Sequence, residues 1–177
     1  MSYRTYLNPI RHSVYFLAAA AVVIGVACKD SPTETATDRD LATLRSAVAR
    51  YSDYNAAVAD GYSTKLTDCM EMAGLGGMGF HYGKGALIDG TVAVATPEAL
   101  LYEPQANGSK VFVGVEYLIP YTVLPRTATA PVLFGQTFKQ NDAFQLWALH
   151  AWVGRDNPSG VFSDWNPSVN CKSAPAT

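Results

Sequence analysis

Four apolar segments after Gly61 limit the possible folds more than any other feature of the sequence. Each segment is bounded by Pro, Gly or Asn residues that favour turns. They are rich in β-branched and aromatic residues, which favour extended strands. The connections between them are too short to hold crossover helices, so the strands should form an antiparallel sheet. Asn107-Gly108 predicts a tight hairpin turn between the second and third segments. The segments are TVAVAT (91–96), EALLYEP (98–104), KVFVGVEYLIP (110–120) and FQLWALHAWVG (144–154).

One long helix is predicted before these strands, from Asp38 to Asp60. Its apolar residues recur at spacings of three, four and seven, which places them near one helical face. Thr37 or Asp38 can cap the first turn, and Gly61 supplies a left-handed stop. The predicted fold class is therefore α+β, with the helix packed on a barrel-like or strongly curved antiparallel sheet. The apolar residues of the face are Leu41, Leu44, Val48, Tyr51 and Val58.

Two later stretches have little periodicity. Residues 121–140 contain Pro125 and Pro131 and are predicted to form a long loop that could act as a lid over the sheet. Residues 155–171 contain two Asn-Pro steps, which start turns, and are predicted to form a coil.

The first 27 residues have the pattern of a bacterial export signal. Arg4 and Arg11 precede an apolar run of 13 residues from Val14 to Val26, which is too short for a stable transmembrane helix. Small residues stand directly before Cys28, and this sequence resembles the lipobox at which bacterial lipoproteins are cleaved and lipidated. The expected organisation is a lipoprotein signal peptide (1–27), a flexible polar tether (28–37) and a single domain (38–177).

Two cysteines remain when Cys28 is assigned to lipid. Cys69 and Cys171 are isolated from each other in the sequence, which argues against a metal site, and an exported chain meets an oxidising environment. A disulfide between them is predicted to pin the C-terminal coil to the domain.

Charge excludes some partners. Removing residues 1–27 leaves 11 basic and 15 acidic residues and no basic run. Nucleic-acid binding needs phosphate neutralisation, so it is excluded as a function. No polybasic patch is present for anionic lipids, so the lipid anchor is the expected membrane contact. The expected location is the bacterial cell envelope, facing the periplasm or the exterior.

Six motifs follow one another in an order that resembles a family of exported bacterial proteins usually described only as hypothetical. They are GGMGFHY (76–82), PEALLYEP (97–104), VGVEYLIP (113–120), LFGQTF (133–138), LHAWVGRDNPSGVFSDWNP (149–167) and the final Cys171. The family has no established activity. The resemblance therefore implies a shared fold unit and an exported location but no reaction.

Ionisable residues within apolar segments are the candidates for chemistry. Glu116 alternates onto the same strand face as Phe112 and Leu118. His150 lies in a segment that is apolar on both faces, which predicts a central strand and a buried ring. His81 is the other histidine after the leader, and the surrounding glycines predict a constrained turn that presents it.

Glu98 and Glu103 stand beside prolines at the two ends of one predicted strand. They are expected to be solvated strand ends. The glycine-rich GLGGMG (74–79) lacks the strand–loop–helix setting and the Lys-Ser/Thr ending of a phosphate loop, so nucleotide binding is not expected.

A buried Glu116 needs a partner, and three interpretations remain open. His81, Glu116 and His150 could bind a divalent metal such as zinc, iron or manganese. The same residues could form a His–Glu acid–base pair in an apolar pocket without metal. Alternatively, Glu116 pairs with a tyrosine hydroxyl, Arg126 or Arg155, and His150 bonds a backbone carbonyl.

The expected function is thus a membrane-anchored extracytoplasmic lipoprotein domain that binds a metal ion or small ligand in a pocket with a His/Glu floor. The competing hypothesis is a structural or accessory envelope lipoprotein that acts through surface contacts and has no catalytic site. No reaction and no protein partner can be assigned from the sequence.

Overall fold

The computed structural model describes residues 1–2 and 34–175 of the chain. Residues 3–27 of the predicted signal peptide, the predicted lipidation site Cys28 and most of the predicted tether lie outside these residues. Helices, an antiparallel sheet and a C-terminal coil follow one another between residues 34 and 175, as the predicted α+β fold class requires.

The predicted helix is present but interrupted. Helix α1 spans Ala36–Val48, a 3-10 turn follows at Ala49–Ser52, and helix α2 spans Tyr54–Ala59. The cap of α1 is Thr35, two or three residues earlier than predicted, and its hydroxyl and the Asp38 carboxylate form a capping box. The break occurs because Asp53 is extended and caps α2. Between the two helices, the Tyr51 carbonyl accepts a hydrogen bond of 2.7 Å from the Tyr102 hydroxyl.

Six strands form one curled, half-barrel sheet in the order β1-β2-β3-β4-β8-β7, with all neighbours antiparallel. Two further short strands, β5 and β6, pair separately within the segment predicted to be a long loop. The strands are β1 Thr64–Met72, β2 Gly76–Gly83, β3 Ala99–Pro104, β4 Lys110–Pro120, β5 Val132–Leu133, β6 Gln136–Thr137, β7 Lys139–Asn141 and β8 Leu146–Ala151.

Three of the four predicted strand segments are confirmed as β3, β4 and β8, and Gly108 turns the chain between β3 and β4 with a φ of 82°. Residues 91–96 form no strand, so that prediction was wrong. The Val94 carbonyl instead accepts a hydrogen bond of 2.6 Å from the hydroxyl of the buried Tyr117. This segment therefore packs on the sheet as a coil.

A bulge at Val113 changes which residues share a face of β4. Leu101 pairs with Gly114 whereas Tyr102 pairs with Phe112, so Val113 is an extra residue. Phe112 consequently packs in the same core cluster as Val115, on the face opposite Glu116. The prediction that Glu116 shares a face with Phe112 was wrong for this reason.

The sheet has a buried cluster on each face. The larger one lies under α1 and includes its Leu41, Leu44 and Val48. Val58, predicted for the same helical face, is 38% exposed. The smaller cluster packs beneath the C-terminal coil and contains Met78, Leu101, Val113, Trp152 and Val169.

The C-terminal coil is fixed to the domain by a disulfide between Cys69 and Cys171. This predicted bond indicates an oxidising, non-cytoplasmic location. Among the residues described, no helix has both the length and the hydropathy needed to cross a membrane.

Candidate functional site

His81, Glu116 and His150 come together on one face of the sheet. They belong to β2, β4 and β8, and Glu116 is the direct cross-strand neighbour of His150. On its other side Glu116 pairs with Ala99 of β3, the strand that lies between β4 and the strand of His81. One ligand atom from each of the three residues lies within 4.8 Å of the others.

The distances within this cluster suit ligands of one cation better than direct hydrogen bonds. Glu116 places Oε2 3.6 Å from His81 Nε2 and Oε1 3.7 Å from His150 Nε2. Both distances exceed hydrogen-bond length. Two ligands that each lie about 2.1 Å from a single cation are about 3 to 4 Å apart, depending on the angle between them.

The other nitrogen of each imidazole faces a polar group outside the cluster. His81 Nδ1 lies 2.9 Å from the Thr67 hydroxyl, and His150 Nδ1 lies 3.9 Å from Asp164 Oδ1. Both Nε2 atoms are therefore directed toward Glu116. Neither ring nitrogen of His150 has a hydrogen-bond partner among the described residues. Metal-binding histidines characteristically have an outer hydrogen-bond partner, which fixes the ring orientation and tautomer, and Thr67 fills this role for His81.

Burial keeps all three groups uncharged in the metal-free protein. Their exposed fractions are 2% for His81, 7% for Glu116 and 4% for His150. Loss of solvation lowers the pKa of His81 to about 3, with His150 contributing, and lowers the pKa of His150 to about 4, with Lys139 contributing. It raises the pKa of Glu116 to about 8, with Asp164 and Glu98 contributing. Neutral imidazole is the form that binds metal.

The cluster lies at the floor of a cleft of about 620 Å³. Strands β1, β2, β4, β7 and β8 all contribute to its walls, so the cleft crosses most of the sheet. Its volume falls in the range of small-molecule sites. Phe144, Leu146, Ala148 and His150 all line the cleft, so alternate residues of β8 and of the segment before it form one of its walls.

His81 is in a strand, and the prediction of a glycine-framed turn was wrong. The glycines of β2 serve close backbone packing. A Cβ at Gly76 would lie 2.1 Å from the Asn166 carbonyl oxygen, and one at Gly79 would lie 2.3 Å from the Tyr102 carbonyl oxygen. Both have positive φ, at 96° and 80°. The strand can therefore fit beneath the C-terminal coil and beside β3.

Glu98 and Glu103 are buried, with exposed fractions of 1% and 5%, so they are not solvated strand ends. Glu103 accepts hydrogen bonds from Arg155 at 2.5 Å and from the backbone N–H of Asn170 at 2.9 Å, which ties the coil to β3. Glu98 accepts the Leu118 N–H at 3.2 Å.

The partners proposed for Glu116 in the structural interpretation are engaged elsewhere. Arg155 binds Glu103, and Arg126 binds Asp142 with two hydrogen bonds of 2.7 and 2.9 Å. His150 does not bond a backbone carbonyl. Arg126, Arg155 and a backbone carbonyl were therefore wrong as partners, and the ion-pair contacts of Glu116 among the described residues are with the two histidines.

Sequence reasoning missed Thr67, Asp164 and Lys139. Thr67 lies in β1, a strand without a regular apolar alternation, and pairs with His81 in the sheet. Asp164 lies in the coil and binds Lys139 Nζ at 2.8 Å. Nothing in the local sequence places an aspartate of this coil beside a histidine of β8.

Comparison of the chain with protein-family models, curated proteins and solved structures finds no match.

The second buried carboxyl, Glu98, gives a stability prediction. Burial raises its pKa from an ordinary 4.5 to about 8. Between these values unfolding releases its proton, so this group makes folding less favourable by about 1.4 kcal/mol for each pH unit. Glu98→Gln cannot ionise. From pH 6 to pH 8 we expect the free energy of unfolding of the variant to gain about 2 kcal/mol relative to wild type.

Urea unfolding of both metal-free proteins at the two pH values measures this change, and other titrating groups cancel in the comparison. If the free energies of unfolding of the two proteins differ by the same amount at pH 6 and at pH 8, Glu98 is not buried and protonated.

Proposed function

We propose that this chain is an exported, lipid-anchored protein of the bacterial envelope that holds one divalent metal ion through His81, Glu116 and His150. The convergence of two imidazole nitrogens and a carboxylate, all buried and within 4.8 Å of one another, is the observation that carries the proposal. The unpaired nitrogens of His150 support it, because buried polar atoms without partners are costly.

The donor set limits the metal. Two imidazoles and one carboxylate suit Zn²⁺, Fe²⁺ and Mn²⁺, and they are poor for Ca²⁺ or Mg²⁺, which prefer oxygen ligands. Three protein ligands also leave coordination positions for water or a ligand from the cleft. A cation in this position would polarise a bound oxygen atom, while the apolar walls exclude bulk water.

The location rests on the N-terminal sequence together with the disulfide. Small residues before Cys28 match a lipobox, and the polar residues after it fit a tether between the lipid and the domain. The disulfide between Cys69 and Cys171 is consistent with export. Lipid on Cys28 would keep the cleft at a membrane surface without a transmembrane helix.

Elemental analysis of the untagged chain, purified from an oxidising compartment, tests the proposed metal site. Close to one zinc, iron or manganese per chain is expected. If the purified protein is metal-free, dialysis against each metal should load it and raise its unfolding temperature. A protein that neither carries nor acquires metal overturns the proposal and favours a non-metal His–Glu pair.

Asp164 is predicted to be a positioning residue for His150. Replacement by Asn removes the carboxylate beside His150 Nδ1 and should weaken zinc binding about 10- to 100-fold. Asp164 is partly exposed, with a side-chain exposure of 40%, so the fold should tolerate the change. Competition with a chromophoric zinc chelator measures the affinity.

Lys139→Gln is the matched control for Asp164→Asn. It breaks the same ion pair, of 2.8 Å, but keeps the carboxylate near His150. Equal loss of zinc affinity in the two variants would show that the ion pair, rather than the carboxylate at Nδ1, matters.

A further inference from the structure

The walls of the cleft above the cluster are mostly apolar. Apolar side chains of β1, β2, β4 and β8 contribute, and most of the polar lining outside the cluster comes from residues 139–142. A ligand that reaches the floor must therefore place an apolar body along the walls. The apolar wall residues on the strands include Leu66, Met70, Met72, Met78, Leu118 and Leu146.

Three wall residues are large, apolar and substantially exposed. Leu66 is 37%, Met72 is 46% and Phe144 is 47% exposed. They come from β1 and from the segment before β8, at opposite ends of the sheet order. Exposed apolar side chains gathered around one cleft mark a binding site more often than isolated ones do.

The charges of the cleft are balanced except at the floor. Asp142 binds Arg126, and Asp164 binds Lys139, so each acid of the wall has its own cation. A divalent cation held by an ionised Glu116 and two neutral histidines leaves one positive charge that no wall residue compensates. An anionic oxygen donor would neutralise it in a dry site, where such an interaction is strong.

We propose that the metal-loaded cleft binds an aliphatic monocarboxylate, with its carboxylate at the metal and its apolar tail along the walls toward Phe144. The inference rests on the proposed metal site and names its ligand class. The carboxylate fills the open coordination positions. The tail covers exposed apolar surface, and each methylene it buries should strengthen binding about four-fold.

Calorimetric titration of the zinc-loaded full chain with acetate, hexanoate, decanoate and decanol tests the proposal. Decanoate should bind at least about ten-fold more tightly than acetate, which lacks the tail, and than decanol, which lacks the charge. In the cobalt-loaded protein, decanoate should also shift the visible absorption bands of Co²⁺, whereas decanol should not. Equal affinity for acetate and decanoate, or no spectral change with decanoate, overturns the proposal.

Phe144→Ser and Val123→Ser form a matched pair, because both residues are 47% exposed but only Phe144 lines the cleft. Phe144→Ser should weaken decanoate binding several-fold without changing zinc content, and Val123→Ser should change neither. Zinc binding without decanoate binding defeats this inference and leaves the metal site standing. A chain that neither carries zinc, iron or manganese when purified nor acquires one of them on dialysis defeats both.

Discussion

Glu116→Gln is expected to lower zinc affinity more than about 100-fold, because it removes the anionic ligand of the cluster and leaves two neutral imidazoles. The fold should survive. In the metal-free protein burial raises the pKa of Glu116 to about 8, so at pH 7 the native side chain is mostly a neutral acid of nearly the same shape as glutamine. Chelator competition and denaturant unfolding, on the same samples, separate loss of the ligand from loss of the fold.

Glu98→Gln is the matched control for this loss of zinc affinity. Glu98 is as deeply buried as Glu116, and burial also raises its pKa to about 8, but it takes no part in the histidine cluster. The two substitutions make the same chemical change in similar surroundings. Zinc affinity should fall only in Glu116→Gln. A parallel loss in both variants would trace the effect to the fold and contradict the assignment of Glu116 as a ligand.

Metal binding should also increase the free energy of unfolding. Zinc at 100 times its dissociation constant raises the free energy of unfolding by about 2.7 kcal/mol if only the folded protein binds it. Glu116→Gln and the double variant His81→Ala/His150→Ala should lose this gain. If the histidines are merely structural, the double variant should instead be destabilised by about 1 to 3 kcal/mol with or without zinc.

Local sequence patterns predicted the elements whose signals are local. The apolar alternation of β4 and β8 and the Asn107-Gly108 turn gave the correct strands and an antiparallel sheet. The isolation of Cys69 and Cys171 in a chain predicted to be exported led to the correct disulfide. The strands and the turn depend on residues that are close in sequence. The disulfide follows from the number of cysteines and the oxidising environment expected for the chain.

The errors arose where tertiary contacts overrule local preference. Gly76 and Gly79 favour turns in a short peptide, yet here they let a strand pass close to Asn166 and Tyr102. The Val113 bulge reversed the face of Phe112, and only the paired strand reveals that extra residue.

The sequence was enough to predict which residues form the candidate site, but not the distances between them. His81, Glu116 and His150 stand out as ionisable groups in apolar surroundings, and burial confirms that reasoning. The distances between them depend on the strand order, which places β3 between β2 and β4 and puts β8 beside β4. The contact between Asp164 and His150 depends on the path of the coil and has no sequence signal.

Removal of the disulfide by Cys69→Ala/Cys171→Ala is expected to lower the free energy of unfolding by about 4 kcal/mol. The two cysteines are 102 residues apart, and closing a loop of that length restricts the unfolded chain by about this amount. The coil keeps native contacts without the bond. The Cys171 N–H donates to Glu71 at 2.7 Å, and Asn170 and Arg155 bind Glu103. The folded structure should therefore remain close to native.

Urea unfolding distinguishes this account from local damage to the coil. If the bond acts on the unfolded chain, the variant should unfold with a steeper urea dependence, since a longer unlinked chain exposes more surface. Its zinc affinity at low urea should equal that of wild type, because neither cysteine belongs to the metal-binding cluster. An unchanged urea dependence together with weaker zinc binding would show instead that the disulfide holds the coil in place. Asp164 would then lie beside His150 only when the disulfide is intact.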